Sequence, residues 1–400
     1  MAPITLASNV FAVGVKDPGL AVFDIVIPTE FGTTYNAYLV KGTEKTALIE
    51  SVKRPFAAEW LANIAKVAEV VKIDYIVINH SEPDHSGALV DLIAANPGVT
   101  VVLSRSAKTF VDNIVNGEYK SLVVGDNDTL PLGGKTLTFL NTPFLHWPDT
   151  MLTWLAEDGI LFSCDFLGAH YSSAEYFDDE IKKPEDHWRA FEFYYGTIMR
   201  PFREHVLKAA LRLKDMPIRM VATSHGPILR KDPKKFLARY EERASVLSRV
   251  TEKKVPVVYA SSYGNTAAMA VKVAEGLKAG GVTPELFNIV ETPMGTIIDA
   301  FEQAAGVLFG TPTLNGTVPH PILDLIGNLV VLNMKGKPAS VFGSYGWSGE
   351  AVKAVSDILT AMRFKVAVEP IKVKMTPSEA ELAQCFEFGR QFAAAALATP

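Results

Sequence analysis

The segment NHSEPDHSG, residues 79–87, directly follows the apolar run DYIVI, residues 74–78. Four ionisable residues therefore stand where a predicted buried strand ends, namely His80, Glu82, Asp84 and His85. In an extended chain, side chains two residues apart point the same way, so the first three can converge on one space. Pro83 keeps the residue before it out of a helix and delays the next helix. The pattern predicts ligands for one or two metal ions.

Three more ionisable residues follow other predicted strands. His146 lies in FLHWPD, Asp165 in SCDF and His225 in ATSHGP. Any one of the four loop residues taken alone is better explained as a solvated group at a helix start, where Asp84 would serve as the N-cap. Seven such residues in this pattern favour the metal site.

Composition excludes several classes of function. The 400 residues carry a formal net charge of -5, without the excess of Lys and Arg typical of nucleic-acid binding. The two cysteines, Cys164 and Cys385, form no CxxC pair, so we expect neither a disulfide framework nor a rubredoxin-type module. The sequence contains neither a basic secretory signal nor an apolar run approaching the ~20 residues that cross a bilayer. We predict a soluble cytoplasmic protein that binds neither nucleic acid nor membrane.

The first part of the chain has the pattern of a layered α/β domain. Short β-rich runs, such as AVFDIVI at residues 21–27, are interspersed with amphipathic helices, which is typical of a helix–sheet–sheet–helix sandwich. A continuous helical region is predicted from Pro184 to about Lys214. Within it, we expect His187 and His205 to face solvent.

The second part of the chain alternates strands with helices. Five such strands predict a doubly wound parallel sheet. The charged segment TEKK, residues 251–254, is the predicted boundary, which gives domains at residues 1–250 and 254–400.

The first strand of the second domain ends in ASSYGNT, residues 260–266, directly before a helix. Small hydroxyl residues and a glycine let backbone N–H groups surround an anion, and the helix N-terminus favours a phosphate. FGTPTLNGT and FGSYGWSGE follow two later strands, where Tyr345 or Trp347 can stack on a flat ring. No lysine follows the glycine, so this is not a Walker motif. The predicted cofactor-binding residues are Ser261, Ser262, Tyr263, Gly264, Asn265, Thr266, Pro312, Thr313, Leu314, Asn315, Ser344, Tyr345, Gly346 and Trp347.

These motifs resemble known families. The series His80-x-Glu82-x-Asp84-His85, with its later His, Asp and His, resembles the metallo-β-lactamase fold, with Glu82 in place of the second histidine of the hydrolases. The added carboxylate is a hard oxygen ligand that suits iron. The loops of the second domain resemble short-chain flavodoxins. Together with GTTYNAYLV, LHWPD and GWSGE, nearly the whole chain is similar to the flavodiiron proteins.

The resemblance implies an α/β fold in which a metallo-β-lactamase-like αββα sandwich precedes a flavodoxin-like doubly wound parallel sheet. The implied cofactors are FMN and a bridged pair of iron ions. One iron would be held by His80, Glu82 and His146, and the other by Asp84, His85 and His225, with Asp165 as the bridge. Family members differ in whether the histidine at the His85 position binds metal. His170 and Tyr195 are candidate catalytic residues: His170 as a donor behind the ligands, or a histidine bonded to backbone, and Tyr195 as a proton donor, or a packed helix residue.

By the same resemblance, the chain would reduce O2 to water, NO to N2O, or both. Electrons would come from an external donor such as rubredoxin or a reduced deazaflavin. A head-to-tail homodimer, or a dimer of such dimers, would bring the FMN of one chain to the di-iron site of the other. Two other functions remain open: a zinc hydrolase fused to a flavodoxin domain, and an electron-transfer flavoprotein with a vestigial first domain.

Overall fold

The computed structural model describes residues 3–245 and 253–398. The chain divides into two compact units, Met1–Ser245 and Val246–Pro400. The boundary predicted at residues 251–254 falls largely outside the described residues, so the predicted domain limits stay predictions.

The first unit contains two large sheets and two sheets of two strands each. Its strands are β1 Ile4–Ala7, β2 Val10–Ala12, β3 Val15–Asp17, β4 Val22–Phe23, β5 Ile27–Pro28, β6 Thr33–Tyr35, β7 Tyr38–Lys41, β8 Thr46–Ile49, β9 Tyr75–Ile78, β10 Thr100–Ser104, β11 Lys120–Val124, β12 Thr129–Pro131, β13 Thr136–Asn141, β14 Met151–Leu155, β15 Ile160–Cys164 and β16 Met220–Thr223. Its helices are α1 Ala57–Ala65, α2 Pro83–Ser86, α3 Leu89–Ala95, α4 Arg105–Val115, α5 Pro184–Tyr194, α6 Arg203–Leu213 and α7 Pro233–Ala244. A seven-stranded sheet has the order β1-β2-β7-β8-β9-β10-β11, and a five-stranded sheet has the order β12-β13-β14-β15-β16.

Three apolar cores show how the layers stack. Val77 from the larger sheet and Phe139 from the smaller one share the core between the sheets. Trp60 of α1 belongs to the core on the outer face of the larger sheet. Phe191 of α5 and Tyr240 of α7 belong to the core on the outer face of the smaller one. The seven-stranded and the five-stranded sheet are therefore each buried on both faces, and the αββα sandwich expected from the sequence is present.

AVFDIVI is a hairpin rather than the single strand expected from its apolar residues. The two-residue strands β4 and β5 pair antiparallel across a turn in which Asp24 and Ile25 have φ of 45° and 57°. A left-handed backbone is unusual for a β-branched residue such as Ile25, whose side chain is 94% exposed. Apolar content alone misidentified this turn as a strand.

The helical region after residue 184 is interrupted. A π-helical turn, Tyr195–Met199, and a 3-10 turn, Arg200–Phe202, separate α5 from α6. Pro201 contributes no backbone N–H, which explains the break. The expectation that His187 faces solvent is wrong. Its side chain is buried against the rings of Tyr171 and Phe236.

The second unit is a single parallel sheet with helices on both faces. Its strands are β17 Lys254–Tyr259, β18 Thr283–Asn288, β19 Val307–Gly310, β20 Pro338–Tyr345, β21 Lys365–Val366 and β22 Ile371–Lys374. Its helices are α8 Asn265–Ala279, α9 Met294–Gln303, α10 His320–Asn328, α11 Glu350–Ala361 and α12 Glu379–Leu397. The order is β18-β17-β19-β20-β21, with β22 also paired to β20.

Two apolar cores cover the faces of this sheet, one with α8 and α12 and one with α9, α10 and α11. The doubly wound sheet predicted from the sequence is therefore present. Its strand order reverses at β17, which places the switch point between β17 and β19. Within residues 3–245 and 253–398, the structure contains no helix with the length and apolar character of a membrane span.

Candidate metal centre and flavin pocket

The seven predicted metal ligands converge in the first unit. One group of ligand atoms comes from His80, Glu82, His146 and Asp165, and another from Asp84, His85 and His225. Within each group the atoms lie within 4.8 Å of one another. Oε2 of Glu82 lies 3.0 Å from Nε2 of both His80 and His146. Oδ2 of Asp84 lies 3.0 Å from Nε2 of His225.

Asp165 lies between the two groups. Its Oδ2 is 3.7 Å from Nε2 of His80 and 3.8 Å from Nε2 of His146. Its Oδ1 is 3.1 Å from Nε2 of His85 and 3.4 Å from Nε2 of His225. Each carboxylate oxygen faces one group, as a bridging ligand requires.

Local sequence explains how the ligand loop forms. Glu82 has φ of -55° and ψ of 142°, the extended conformation expected before Pro83, and α2 begins at that proline. Asp165 directly follows β15, and His225 lies two residues after β16. Because β15 and β16 are parallel neighbours, their carboxyl ends place both residues at one edge.

Two supporting contacts at this site were not predicted. Asp149 holds Nδ1 of His80 with both carboxylate oxygens at 3.3 Å, and its Oδ2 accepts hydrogen bonds of 2.7 Å from the backbone N–H and the hydroxyl of Ser81. Nδ1 of His225 donates to the carbonyl oxygen of Thr34 at 2.7 Å. Both contacts leave Nε2 of the histidine directed at the ligand cluster, the arrangement that orients metal-bound imidazoles.

The run TYNAYLV, residues 34–40, is divided at Asn36 and Ala37, between β6 and β7, and the break supports the site. The side-chain amide of Asn36 donates to the carbonyl oxygens of Thr223 and Gly226, at 2.9 and 2.8 Å. It therefore anchors the loop that carries His225.

The two candidate catalytic residues lie in different surroundings. His170 packs against Phe23, with ring centroids 4.3 Å apart, and its Nδ1 is 2.9 Å from the hydroxyl of Thr33. Burial and the neighbouring His225 hold the pKa of His170 well below its usual range, so its ring is neutral. Tyr195 packs on Tyr240 in the helical layer. The hydroxyl of the preceding residue, Tyr194, donates a hydrogen bond of 2.9 Å to Oδ1 of Asp165.

The polar atoms of the centre fit metal ions. Both carboxylate oxygens of Asp84 and Nε2 of His85 are buried and make no hydrogen bond of good geometry, although oppositely charged or polar ligand atoms lie 3.0–3.4 Å from each of them. Leaving such groups unpaired costs about 1–3 kcal/mol each, or more when they are charged. Although burial opposes it, Asp165 and Asp84 raise the pKa of His85 to about 9. Divalent cations at the two groups would satisfy the unpaired atoms and neutralise the clustered carboxylates.

The centre opens to solvent on one side. The side chains of His146 and Glu82 are 17% and 13% exposed, and the other ligands are buried. Partial burial and the carboxylates of Glu82 and Asp84 raise the pKa of Asp24, in the hairpin turn, to about 6. The Phe202 ring lies 6.2 Å from that of His146, between centroids. A small ligand would approach the metals from this side.

The second unit has a cavity of about 760 Å³ at the carboxyl ends of its strands. Twelve of the fourteen predicted cofactor-binding residues line it, and Met375 and Thr376 line it as well. The remaining two are Gly264 and Thr266. Thr266 is buried, and its hydroxyl lies 2.8 Å from that of Ser344, which links two of the loops. Gly264 has φ of 85° directly before α8, a conformation that favours glycine.

Fold and sites together define the class: a metallo-β-lactamase-like unit with a two-metal ligand cluster, followed by a flavodoxin-like unit. Two family profiles agree, since the profile of the ODP family beta lactamase matches residues 33–226 and that of flavodoxin matches residues 257–389.

Comparison with individual proteins narrows the class. A flavo-diiron protein of Clostridium acetobutylicum is 40% identical over 400 residues, covering 98% of this chain and 99% of its own. An anaerobic nitric oxide reductase flavorubredoxin of Aeromonas hydrophila is 34% identical and covers 98% of this chain and 79% of its own. The solved structure of rubredoxin oxygen:oxidoreductase from Desulfovibrio gigas is 31% identical, with a TM-score of 0.71 over 99% of each chain.

The chain therefore belongs to the flavodiiron protein family, and it is an oxidoreductase of that family. The fold class predicted from the sequence is confirmed. The flavodoxin-like unit and the cluster of His, Asp and Glu residues account for the FMN and di-iron cofactors of the family.

Proposed function

We propose that this protein reduces O2 to water, NO to N2O, or both, at a non-haem di-iron centre, with electrons that reach it through FMN from an external donor. The observation that carries the proposal is Asp165, whose two oxygens face two separate groups of imidazole and carboxylate ligands. The proposed ligands are His80, Glu82 and His146 for one iron and Asp84, His85 and His225 for the other. Three carboxylates within the set favour iron over the imidazole-rich sites typical of zinc hydrolases.

The substrates follow from electron counting and from two relatives. A pair of ferrous ions supplies two electrons and reduced FMN two more, which matches the four electrons that convert O2 to two waters and exceeds the two that convert two NO to N2O. One relative is named a nitric oxide reductase flavorubredoxin and another a rubredoxin oxygen:oxidoreductase. Both names support a rubredoxin-like donor, and a reduced deazaflavin is the other candidate.

The residues of the chain prepare the centre for such a reaction. Asp149 and the carbonyl of Thr34 fix the directions of His80 and His225. The hydroxyl of Tyr194 holds Asp165 in place between the two groups. Because their side chains are partly exposed, Glu82 and His146 border the approach of a diatomic gas.

The flavin pocket supports FMN as the electron carrier. Ser261, Ser262 and Asn265 line the end of the cavity beside the start of α8, where backbone N–H groups favour a phosphate. Tyr263 and Trp347 also line the cavity and are 92% and 76% exposed, so each has an aromatic face available to cover an isoalloxazine ring.

The reaction needs the two cofactors to approach each other, and a head-to-tail homodimer would achieve this. Two exposed apolar rims support the arrangement. Val22, Ile25 and Val26 surround the hairpin turn beside the metal centre, and Leu314 and Trp347 are exposed at the flavin pocket. Exposed apolar patches of this kind mark interaction surfaces. A dimer of such dimers and a cytoplasmic location stay predictions.

Gas consumption by the purified protein tests the proposal. The protein would be loaded with iron and FMN, reduced with rubredoxin or a photoreduced deazaflavin, and supplied with O2 or NO in separate assays. We expect Glu82→Ala and Asp165→Ala to abolish consumption of both gases while FMN stays bound, and Asp215→Ala, at an exposed carboxylate, to retain it. Two zinc ions per chain after expression in iron-replete medium would instead support a hydrolase. Flavin reduction without gas consumption would support a simple electron carrier.

Subunit mixing tests the dimer. A Glu82→Ala chain has an intact flavin pocket, and a Gly264→Val chain has an intact metal centre. In a head-to-tail dimer, a mixed pair contains one complete set of cofactors facing each other, so mixing should restore part of the activity. If electrons pass only within a chain, the mixture stays inactive.

A further inference from the structure

We infer that Glu50 is a positioning residue for His85, which it holds with Nε2 toward Asp84 and Asp165. The inference rests on the proposed di-iron function, and it assigns His85 to the ligand set of the second iron in this protein. Glu50 was not among the residues predicted from the sequence, because it lies about 30 residues before the ligand loop.

Glu50 lies directly behind the metal centre. It follows the last residue of β8, has φ of 61°, and is buried. Its Oε1 accepts a hydrogen bond of 3.0 Å from the backbone N–H of Asn79, the residue before His80. Its Oε2 has no hydrogen-bond partner and lies 4.0 Å from Nδ1 of His85. One carboxylate therefore lies between the two histidines of the ligand loop.

The backbone next to Glu50 also holds His85. The carbonyl oxygen of His85 accepts hydrogen bonds from the backbone N–H and the hydroxyl of Ser51, at 2.8 and 2.6 Å. On the other side of the ring, Nε2 of His85 lies 3.1 Å from Oδ1 of Asp165 and 3.4 Å from Oδ1 of Asp84. The imidazole is thus placed with Nδ1 toward Glu50 and Nε2 toward the proposed metal.

A neutral imidazole that binds a cation through Nε2 carries its proton on Nδ1, and this buried N–H needs an acceptor. Two side chains lie near Nδ1: Oε2 of Glu50, at 4.0 Å, and Sγ of Cys164, at 3.8 Å. A thiol sulfur is a weak acceptor, whereas a carboxyl oxygen is a stronger one whether the group is ionised or protonated. The Glu50 contact is about 1 Å longer than a hydrogen bond, so the inference requires the ring or the carboxyl group to rotate toward the other when a metal binds.

Without this acceptor, the ring of His85 would be free to turn Nε2 away from the metals. The second iron would then keep Asp84, His225 and the shared Asp165. Removing such a partner of a metal-bound histidine typically weakens metal binding by about 10–100-fold.

Titration of the full-length apo-protein with Co²⁺ alone, followed by visible absorption and by the hyperfine-shifted imidazole N–H signals in proton NMR, tests the inference. Wild type should bind two Co²⁺. In Glu50→Ala we expect one of the two to bind about 10–100-fold more weakly and one N–H signal to be lost. Glu50→Gln keeps an acceptor oxygen, so it should retain that signal at a shifted position and bind more tightly than Glu50→Ala. Cys164→Ala is the matched control and should behave as wild type.

Several results would overturn the inference. Two Co²⁺ bound to Glu50→Ala with wild-type affinity and all signals present would do so, and so would loss of the signal in Cys164→Ala instead. If Glu50→Ala does not fold, an unchanged signal position in Glu50→Gln decides against it. A wild-type protein that binds fewer than two Co²⁺ would contradict the proposed di-iron function itself, so the two failures are distinguishable.

Discussion

Asp149 contacts Nδ1 of His80 with both of its carboxylate oxygens, each at 3.3 Å, although 69 positions separate the two residues. Two further hydrogen bonds from Ser81 hold the carboxylate in place. The carboxylate can accept a hydrogen bond from Nδ1–H of His80 and so direct Nε2 of this ring to the metal.

Replacing Asp149 should therefore weaken the first metal position. In Asp149→Asn, we expect iron affinity at that position to fall by about 10–100-fold, because the amide is a weaker acceptor and removes a charge. Iron content after competition with a graded series of chelators measures the effect. Asp215→Asn, at an exposed site, is the control. Equal iron retention by both variants would show that Asp149 does not orient His80.

Adjacent tyrosines should differ in their effect on the metal centre. Tyr194→Phe removes the hydrogen bond to Oδ1 of Asp165, and bonds of this kind to a charged group contribute about 1.5–3 kcal/mol. We expect Tyr194→Phe to change the absorption spectrum of the Co²⁺-loaded centre and Tyr195→Phe to leave it unaltered. A changed spectrum in Tyr195→Phe with an unaltered spectrum in Tyr194→Phe would instead indicate that Tyr195 acts at the metals.

The flavin loop depends on a left-handed glycine. At φ of 85°, an alanine in place of Gly264 is strained by about 1–2 kcal/mol, so Gly264→Ala should bind FMN about 5–30-fold more weakly. Quenching of flavin fluorescence on titration of the apo-protein gives the affinity. Gly295→Ala in α9 is the matched control, because Gly295 also has open space around its α-carbon but does not require positive φ. Similar FMN affinities for the two variants would show that the loop rearranges on binding.

Acid should destabilise the first unit through His187. Burial lowers the pKa of His187 to about 4, whereas an unfolded histidine titrates near 6.5. Well above pH 6.5 the ring is neutral in both the folded and the unfolded state, so it does not change the free energy of unfolding with pH. Between pH 6.5 and 4 only the unfolded state binds the proton, so stability falls as the pH falls, by about 2 kcal/mol at pH 5.

Urea unfolding of the apo-protein at pH 8 and pH 5, followed by tryptophan emission, measures this effect. His187→Gln should reduce the loss of stability between the two pH values by about 2 kcal/mol, whatever its effect at pH 8. His205→Gln, at a partly exposed histidine, should reduce it much less. If His187→Gln and wild type lose the same stability, other groups govern the acid sensitivity.

The clustering of the candidate metal ligands could be predicted because their signal is local. The spacing of two in His80, Glu82 and Asp84, with a proline before Asp84, specifies an extended loop and the direction of its side chains. Asp165 and His225 stand just beyond strands whose residues are mostly apolar. The loops that line the cavity of the second unit could be predicted for a similar reason. In the first of them, a strand, a run of small residues and a helix follow one another directly in the sequence.

The supporting residues were missed because their contacts are distant in sequence or depend on helical phase. Nothing near Asp149 indicates His80 as its partner. Neighbouring helix positions point about 100° apart, and a π-helical turn begins at Tyr195, so the sequence could not show which tyrosine reaches Asp165. His187 was predicted to be solvated from its charged neighbours, whereas the aromatic rings around it come from other segments.

In the hairpin of β4 and β5, the Phe23 side chain packs against histidine rings at the metal centre. Phe23 packs on the rings of His170 and His225, while the turn beyond it is exposed. Strands of two residues have few backbone hydrogen bonds, so the amides of residues 22–27 should exchange with solvent deuterium through local opening. We expect a metal held by His225 to restrain this ring and, with it, the surface on which Phe23 packs. Deuterium exchange in this short segment should therefore be slower when metal is bound. Mass spectrometry would then measure metal occupancy without a signal from either cofactor.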